Sequence, residues 1–298
     1  MDALGATLRV LTPAPGILAF YDGRIAGRRL YSDAPNWLDD GAYGLGACSY
    51  AIIEGAEALV YDTHMSLAHA RIIRSHLADA GVGQIRVVLS HWHADHVAGN
   101  AIFADCEIVA NRLTAAALEL NRAALESGTP PIRPLVVPNR LFETELTVHV
   151  GQRTVECRQV DIHSHDGTVL ILPDNGLLFA ADALEDPITY VTEPERLAQH
   201  LVDLDRMATW DVRAILPNHG APDIIGAGGY GPGLIAATRA YVEKLMRITK
   251  DPISADGDLA SFAAEILGSG DVHYFAPYEQ VHRRNIDQVL AARQPMRD

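Results

Sequence analysis

The run Ser90-His91-Trp92-His93-Ala94-Asp95-His96 decides how the rest of the chain is read. It follows at once on residues 85–89, a short apolar segment of the kind that forms a buried strand. Three imidazoles and a carboxylate fall within the six residues from His91 to His96. Imidazoles this crowded repel one another when protonated, and buried neutral ones need partners; a divalent cation meets both demands. Residues i and i+2 of an extended backbone point the same way, so His91 and His93 can share one ion. Asp95 and His96, on the following turn, face a neighbouring position.

Outward from this run, the N-terminal half reads as short strands and turns. Residues 17–21, 50–53 and 58–61 are apolar and bounded by turn residues, with Glu54-Gly55 as a hairpin signal. Leu67, Ala70, Ile73 and Leu77 recur at helical spacing over 67–80, and Gly81 sits where a glycine would end that helix. Beyond the His-rich run, 108–110 predicts a strand, and Asn111 caps a helix over 113–125. Hairpins follow over 146–150 with 154–160 and over 169–172 with 177–180, the second closed by Pro173-Asp174-Asn175-Gly176. Residues 194–210 predict a helix and 212–216 a last strand. The Gly-rich segment 225–233 reads as a flexible loop; without a following Lys-Ser/Thr it is no phosphate-binding loop. Helices are predicted over 234–249, 259–267 and 278–293. Regular strand–helix–strand alternation is lacking, which argues against a barrel or a Rossmann sheet and for two packed sheets with helices outside.

Composition bounds the function. The chain has 298 residues, 48% hydrophobic and 21% charged, which is globular and long enough for a full core. Its 38 acidic against 24 basic residues give a net charge of -14, a poor match for a nucleic-acid partner. Cys48, Cys106 and Cys157 form no CxxC and read as reduced packing residues, which points to a reducing compartment. Pro13, Pro15 and Gly16 interrupt the N-terminal stretch where a secretory signal would be apolar, and no run of about 18 apolar residues exists. A cytoplasmic protein that does not engage a membrane is the expectation.

Five motifs now acquire a common meaning. They are the HxHxDH run, Asp62 at the end of 58–61, His163 within Asp161-Ile162-His163-Ser164-His165-Asp166-Gly167, Asp182 after Leu177-Leu178-Phe179-Ala180-Ala181, and His219 within Leu216-Pro217-Asn218-His219-Gly220. Together, over about residues 15–225, they resemble the metallo-β-lactamase superfamily. One departure is Asp161-Ile162, where that family has proline-glycine. The resemblance implies an α+β fold, a four-layer αββα sandwich over residues 1–225, with a helical extension over 226–298 packed on the same domain. It implies two metal ions at one edge. His91, His93 and His163 would bind the first; Asp95, His96 and His219 the second; Asp182 would bridge them. Imidazole and carboxylate without thiolate suit Zn²⁺ foremost, and Fe²⁺ or Mn²⁺ as well. Two such cations would lower the pKa of a shared water, giving a hydroxide nucleophile, and polarise a substrate carbonyl. His165 competes with His163 for the ligand position; His163 is favoured by its spacing to Asp166-Gly167, which leaves His165 either to support a ligand from behind or to face the substrate. Asp62 reads as a residue that orients a ligand. His64 stays open between the margin of the site and the surface. His69, His76, His149 and His200 read as surface or helix-face residues.

The family spans several reactions, and residue identities narrow them. Diiron flavoprotein reductases of the family carry Glu at the position of His93, and a flavodoxin domain follows; neither holds here. True β-lactamases carry Cys or Ser at the position of Asp182. Nuclease members present a basic surface. Glyoxalase II-like enzymes share the bridging Asp, but of their basic glutathione-binding tail only Arg283-Arg284 is an echo. N-acyl homoserine lactonases share the ligand set and place a catalytic Tyr three residues after the Asp, where this chain has Glu185. A dinuclear metal-dependent hydrolase of a small lactone, ester or related acyl substrate remains. Its alternatives are β-lactam or phosphodiester hydrolysis, or iron-dependent oxidation on the same fold. Asp95 and Asp182 would then serve catalysis as well as metal binding. Tyr190, Tyr230, Tyr274 and Tyr278 could supply a phenol, and Tyr190 is the first choice because it lies on the segment leaving Asp182. The substrate pocket is expected from residues 22–46 (with Trp37 and Tyr43), 225–233 and 234–298. Val281, Ile286, Val289 and Leu290 form an apolar stripe that reads as core packing, although the tail could equally form a homodimer surface.

Overall fold

The computed structural model describes residues 3–248 and 257–292. Two sheets face each other. The first runs in chain order through β1 (Arg9–Ala14), β2 (Ile17–Asp22), β3 (Ala47–Glu54), β4 (Glu57–Tyr61), β5 (Gln84–Val88), β6 (Glu107–Asn111) and β7 (Arg140–Phe142). β1 to β4 are antiparallel, and β4 to β7 are parallel. The second contains β8 (Glu145–Val150), β9 (Arg153–Gln159), β10 (Thr168–Leu172), β11 (Leu177–Ala181) and β12 (Ala214–Pro217) in spatial order β12-β11-β10-β9-β8. Only β11 and β12 pair in parallel there.

The alternation of side chains along each strand explains the layers. On β4, Leu59 and Tyr61 join the core between the sheets, whereas Ala58 and Val60 join a separate cluster with Ala70, Ile73 and Leu77 of the helix Leu67–Asp79. On the far side, the helices Leu197–Met207, Gly233–Arg247 and Tyr278–Ala292 bury Leu204, Tyr241 and Val289 in the same core as the second sheet. The result is the four-layer helix–sheet–sheet–helix order.

Several local expectations are corrected. The helix over 113–125 is two helices, Arg112–Leu120 and Arg122–Ser127; the Asn121 amide donates back to the Ala117 carbonyl at 2.9 Å and interrupts it. Residues 194–210 begin as a 3₁₀ turn, Pro194–Arg196, before the helix Leu197–Met207. Residues 259–267 divide at Ala263 into Leu259–Phe262 and Ala264–Gly268. The segment 225–233 is tied down rather than flexible: it starts within the helix Pro222–Gly226, Tyr230 exchanges two 2.8 Å backbone hydrogen bonds with Ile215, and its phenol donates to Asp186. Two strands escaped the sequence reading. β1 is a largely exposed edge strand containing Thr12 and Pro13, and β7 has three residues. The predicted helix ends at Thr249 and Arg293 lie outside the described residues.

Three tyrosines staple the two sheets together. Tyr21, Tyr50 and Tyr61 point inward from the first sheet, fully buried. Their hydroxyls donate to the backbone carbonyls of Gly220, Pro217 and Thr168 respectively, all on the second half of the chain. Burial raises all three phenols above their ordinary pKa, so they act as neutral donors. These bonds fix the start of β10, the end of β12 and the turn after it against β2, β3 and β4. Tyr50→Phe removes one donor and strands the Pro217 carbonyl in the core. We expect a loss of about 1–3 kcal/mol in urea-induced unfolding, with the denaturant slope unchanged.

Candidate metal centre

The metal-capable residues of the five motifs follow strand ends: Asp62 after β4, His91 to His96 after β5, His163 after β9, Asp182 after β11 and His219 after β12. Because β4–β5 and β11–β12 are parallel pairs, their C-terminal ends open on one edge of the sandwich. Backbone strain gathers there. Of the five non-glycine residues with positive φ among the described residues, Asp62 (63°), His64 (69°), His163 (67°) and Ala181 (47°) all lie in or beside this edge.

The side chains converge into two groups, each with ligand atoms within 4.8 Å of one another: His91, His93, His163 and Asp182, then Asp95, His96, Asp182 and His219. In the first, the His93 Nδ1 stands 2.9 Å from both His91 Nε2 and His163 Nε2. In the second, Asp182 Oδ2 lies 3.1 Å from His96 Nε2 and 3.4 Å from His219 Nε2, and Asp95 Oδ2 lies 3.2 Å from His219 Nε2. Asp182 belongs to both groups.

The far nitrogens of four of these rings are tethered, which turns their Nε2 atoms toward the centre. His163 Nδ1 meets the Tyr190 carbonyl at 2.8 Å, and His219 Nδ1 meets the Gly46 carbonyl at 2.6 Å. His91 Nδ1 lies 2.9 Å from Ser90 Oγ, and His96 Nδ1 lies 2.9 Å from Asp62 Oδ2. Asp62 is outside both groups. Its carboxylate instead accepts from the Ser90 amide and hydroxyl (2.7 and 2.6 Å) and from Asn218 Nδ2 (2.7 Å). It orients the cluster from behind, as such carboxylates do around metal-binding histidines.

Electrostatics separates the rings into two kinds. Burial, reinforced by neighbouring imidazoles, pushes His91 and His163 below the ordinary histidine range and His93 down to about 3, so all three stand neutral. Burial also opposes charge on His96 and His219, but the Asp182 and Asp95 carboxylates outweigh it and hold both well above that range. Those carboxylates are conversely held low, burial being overcome by His96 and His219. Three neutral lone pairs converge in one group, and in the other carboxylates demand positive charge. Asp182 Oδ1 is buried without a hydrogen-bond partner. This donor set fits two divalent cations with nitrogen and oxygen ligands.

A cavity of about 780 Å³ opens over the centre. Its floor is His93, Asp95, His163, Asp182 and His219, and its walls include Trp37, Leu45, Trp92, Tyr190 and Val281. The expected contributions from 22–46 and the tail are found there. The segment 225–233 contributes none of the lining, and Tyr43 turns away to a small cluster with Leu30 and Leu38. His165 bonds to Glu193 at 2.6 Å and joins neither ligand group. Of the histidines read as surface or helix-face residues or left open, three are buried, His69 and His200 on the inner faces of their helices. His64 stacks on His69 at 4.5 Å, and His69 bonds to Asp22 at 2.9 Å. His200 is fully enclosed, and burial pushes it down to about 4. His76 and His149 are exposed. Among the four candidate tyrosines, Tyr190 alone lines the cavity. Tyr278 instead donates to Glu185 at 2.8 Å, and Tyr274 to Glu279. Glu185 is buried beside the centre and also takes the Tyr190 amide at 2.8 Å; burial, with Asp182 adding and His219 opposing, pushes its carboxyl up to about 8. Gly46 is a contributor the sequence hid. Its φ is +81°, and a Cβ there would lie 2.0 Å from the Tyr21 hydroxyl, so only glycine presents this carbonyl to His219.

A family model described as the metallo-beta-lactamase superfamily matches residues 43–255. The chain belongs to the metallo-β-lactamase superfamily. It is 26% identical over 254 residues to an atrochrysone carboxyl ACP thioesterase, AgnL7, of Paecilomyces divaricatus, covering 82% of this chain and 72% of that one. An atrochrysone carboxyl ACP thioesterase of Aspergillus terreus is 25% identical over 177 residues, 59% of this chain and 50% of its own length. The chain thus spans half the length of that relative. Among solved structures, the DIM-1 metallo-β-lactamase superposes with a TM-score of 0.59 at 18% identity, over 79% of this chain and 97% of its own. A metallo-β-lactamase from Pontibacter korlensis gives 0.61 at 15%, over 79% and 99%. At these identities the likeness establishes the superfamily fold.

Because His96 and His219 hold protons when no cation does, ions must displace protons on entering. Binding should therefore release protons and weaken as the pH falls, because acid favours the protonated rings. Calorimetric Zn²⁺ titrations in buffers of different ionisation enthalpy check this. An affinity independent of pH from about 8 to 6 would contradict it.

Proposed function

We propose that this superfamily hydrolase is dinuclear and attacks a carbonyl-centred acyl bond, in a lactone, ester or thioester of a small substrate. The observation that carries the proposal is the sharing of Asp182 between two ligand groups on the floor of an aromatic-walled cavity. The names of the two relatives, both acyl-carrier thioesterases, support the acyl-bond class. Two cations bound here, Zn²⁺ being the best match to the ligands, would supply Lewis acidity to the carbonyl and lower the pKa of water.

The protein's own residues would do the rest. Asp95 lines the cavity with its side chain 16% exposed, the only partly open carboxylate of the second group. It is placed to accept the proton of the attacking water. The Tyr190 phenol makes no hydrogen bond to any described residue and faces the cavity. Its ring sits 6.0 Å from that of His163, and its backbone is fixed at both ends, the amide by Glu185 and the carbonyl by His163. It can donate to the oxygen that gains charge as the carbonyl is attacked. Trp37, Trp92 and Leu45 surround the acyl group and keep water off its flanks.

A panel of thioesters, aryl esters, lactones, β-lactams and phosphodiesters tests this with metal-loaded protein. Turnover should favour the first three. Asp182→Ala should lose about 1,000-fold in kcat, and Tyr190→Phe about 100-fold with KM little changed. Turnover confined to phosphodiesters or β-lactams would overturn the acyl-bond reading, and so would an Asp182→Ala variant working at the parental rate.

A further inference from the structure

The helix Tyr278–Ala292 turns two unlike faces. Val281, Asn285, Ile286 and Val289 are buried, whereas Gln280, Arg284 and Gln288, spaced i, i+4 and i+8, line the wall of the cavity. Arg284 is the only lysine or arginine among the lining residues. Its guanidinium carbon sits 5.2 Å from the centroid of the Tyr190 ring. A guanidinium over a ring keeps its N–H donors available for a second partner.

No carboxylate among the described residues pairs with it. The acidic groups lining the cavity are all engaged elsewhere. Asp40 pairs with Arg29 at 2.5 Å, Glu185 takes the Tyr190 amide and the Tyr278 phenol, and Asp95 and Asp182 face His96 and His219. Arg284 belongs to neither ligand group, so its charge stays available to an anion even when cations answer the carboxylates of the floor. We propose that Arg284 receives a carboxylate carried by the substrate at the end of its acyl chain remote from the scissile carbonyl, and so selects anionic acyl substrates. Tyr190 relates the two positions: its ring centroid is 5.2 Å from the guanidinium carbon and 6.0 Å from that of the His163 ring, and with Arg284 in neither ligand group the anion is received apart from the ions. Gln280 and Gln288 add neutral donors on either side. This rests on the acyl-bond reading above.

The test compares the para-nitrophenyl hemiester of glutaric acid, an anion, with para-nitrophenyl pentanoate, its neutral counterpart of similar length. The parent should prefer the hemiester. Arg284→Ala should lose about 10–100-fold in kcat/KM on the hemiester and stay within about twofold on the pentanoate, and Arg284→Lys should recover part of the loss. An equal loss on both esters would show that Arg284 merely props Tyr190, and no loss on either would also overturn the proposal. If the parent turned over neither ester, the acyl-bond reading would be decided by the thioester and lactone arms of the panel above, and the Arg284 inference would be read by binding. Trp37 and Trp92 line the cavity, so quenching of tryptophan fluorescence reports hemiester binding. Weaker quenching in Arg284→Ala supports it, and equal quenching overturns it.

Discussion

The structure turns on one buried negative charge. Asp182 sits at the end of β11 with its side chain 4% exposed, between two groups of imidazoles, and one of its oxygens has no hydrogen-bond partner. A carboxylate withdrawn from water to this degree must be met by positive charge or be protonated. This chain holds it ionised, with His96 and His219 answering from one side. His91, His93 and His163 approach from the other side as neutral rings. Neutral imidazoles gathered around an anion are the state a divalent cation requires, since a ligand must be deprotonated before it binds.

Satisfying that constraint engages both halves of the sandwich. The ligands come from the ends of strands in different sheets, so the sheets must be registered to within a fraction of an ångström for the rings to meet. The tyrosine hydroxyls that cross from the first sheet to Gly220, Pro217 and Thr168 provide that registration. Asp62 repeats it nearer the centre, joining the turn after β5, through Ser90 and His96, to the turn after β12, through Asn218. The left-handed backbone at Asp62, His163 and Ala181 is the local cost of aiming these side chains. The tail helices then close the cavity, and Tyr278 locks them to the centre through Glu185.

The HxHxDH cluster was legible in the sequence because its signal is local and needs no tertiary information, whereas His163, Asp182 and His219 were reached through the family resemblance. Two packed sheets with helices outside were legible through the apolar strands and the helical periodicity between them, and the four-layer order through the resemblance. What stayed hidden depends on contacts distant in the chain. Gly46 supports His219 across 173 positions, and its glycine reads as one of many turn residues. His69 and Asp22 are 47 residues apart, so a histidine on an amphipathic helix looked like a surface residue when it is a buried partner of a carboxylate. Tyr278 satisfies Glu185 across 93 positions, which removes it from the set of free phenols. The break at Asn121 was invisible for another reason: a single side-chain bond to a carbonyl one turn back outweighs an otherwise helical pattern.

Anomalous diffraction from metal-loaded crystals tests the central claim most directly. The account predicts two peaks about 3.5–4 Å apart. One should lie within bonding distance of His91, His93 and His163 and the other of Asp95, His96 and His219, with Asp182 touching both. A single peak bound by one group alone, or two peaks that leave Asp182 uncoordinated, would contradict it.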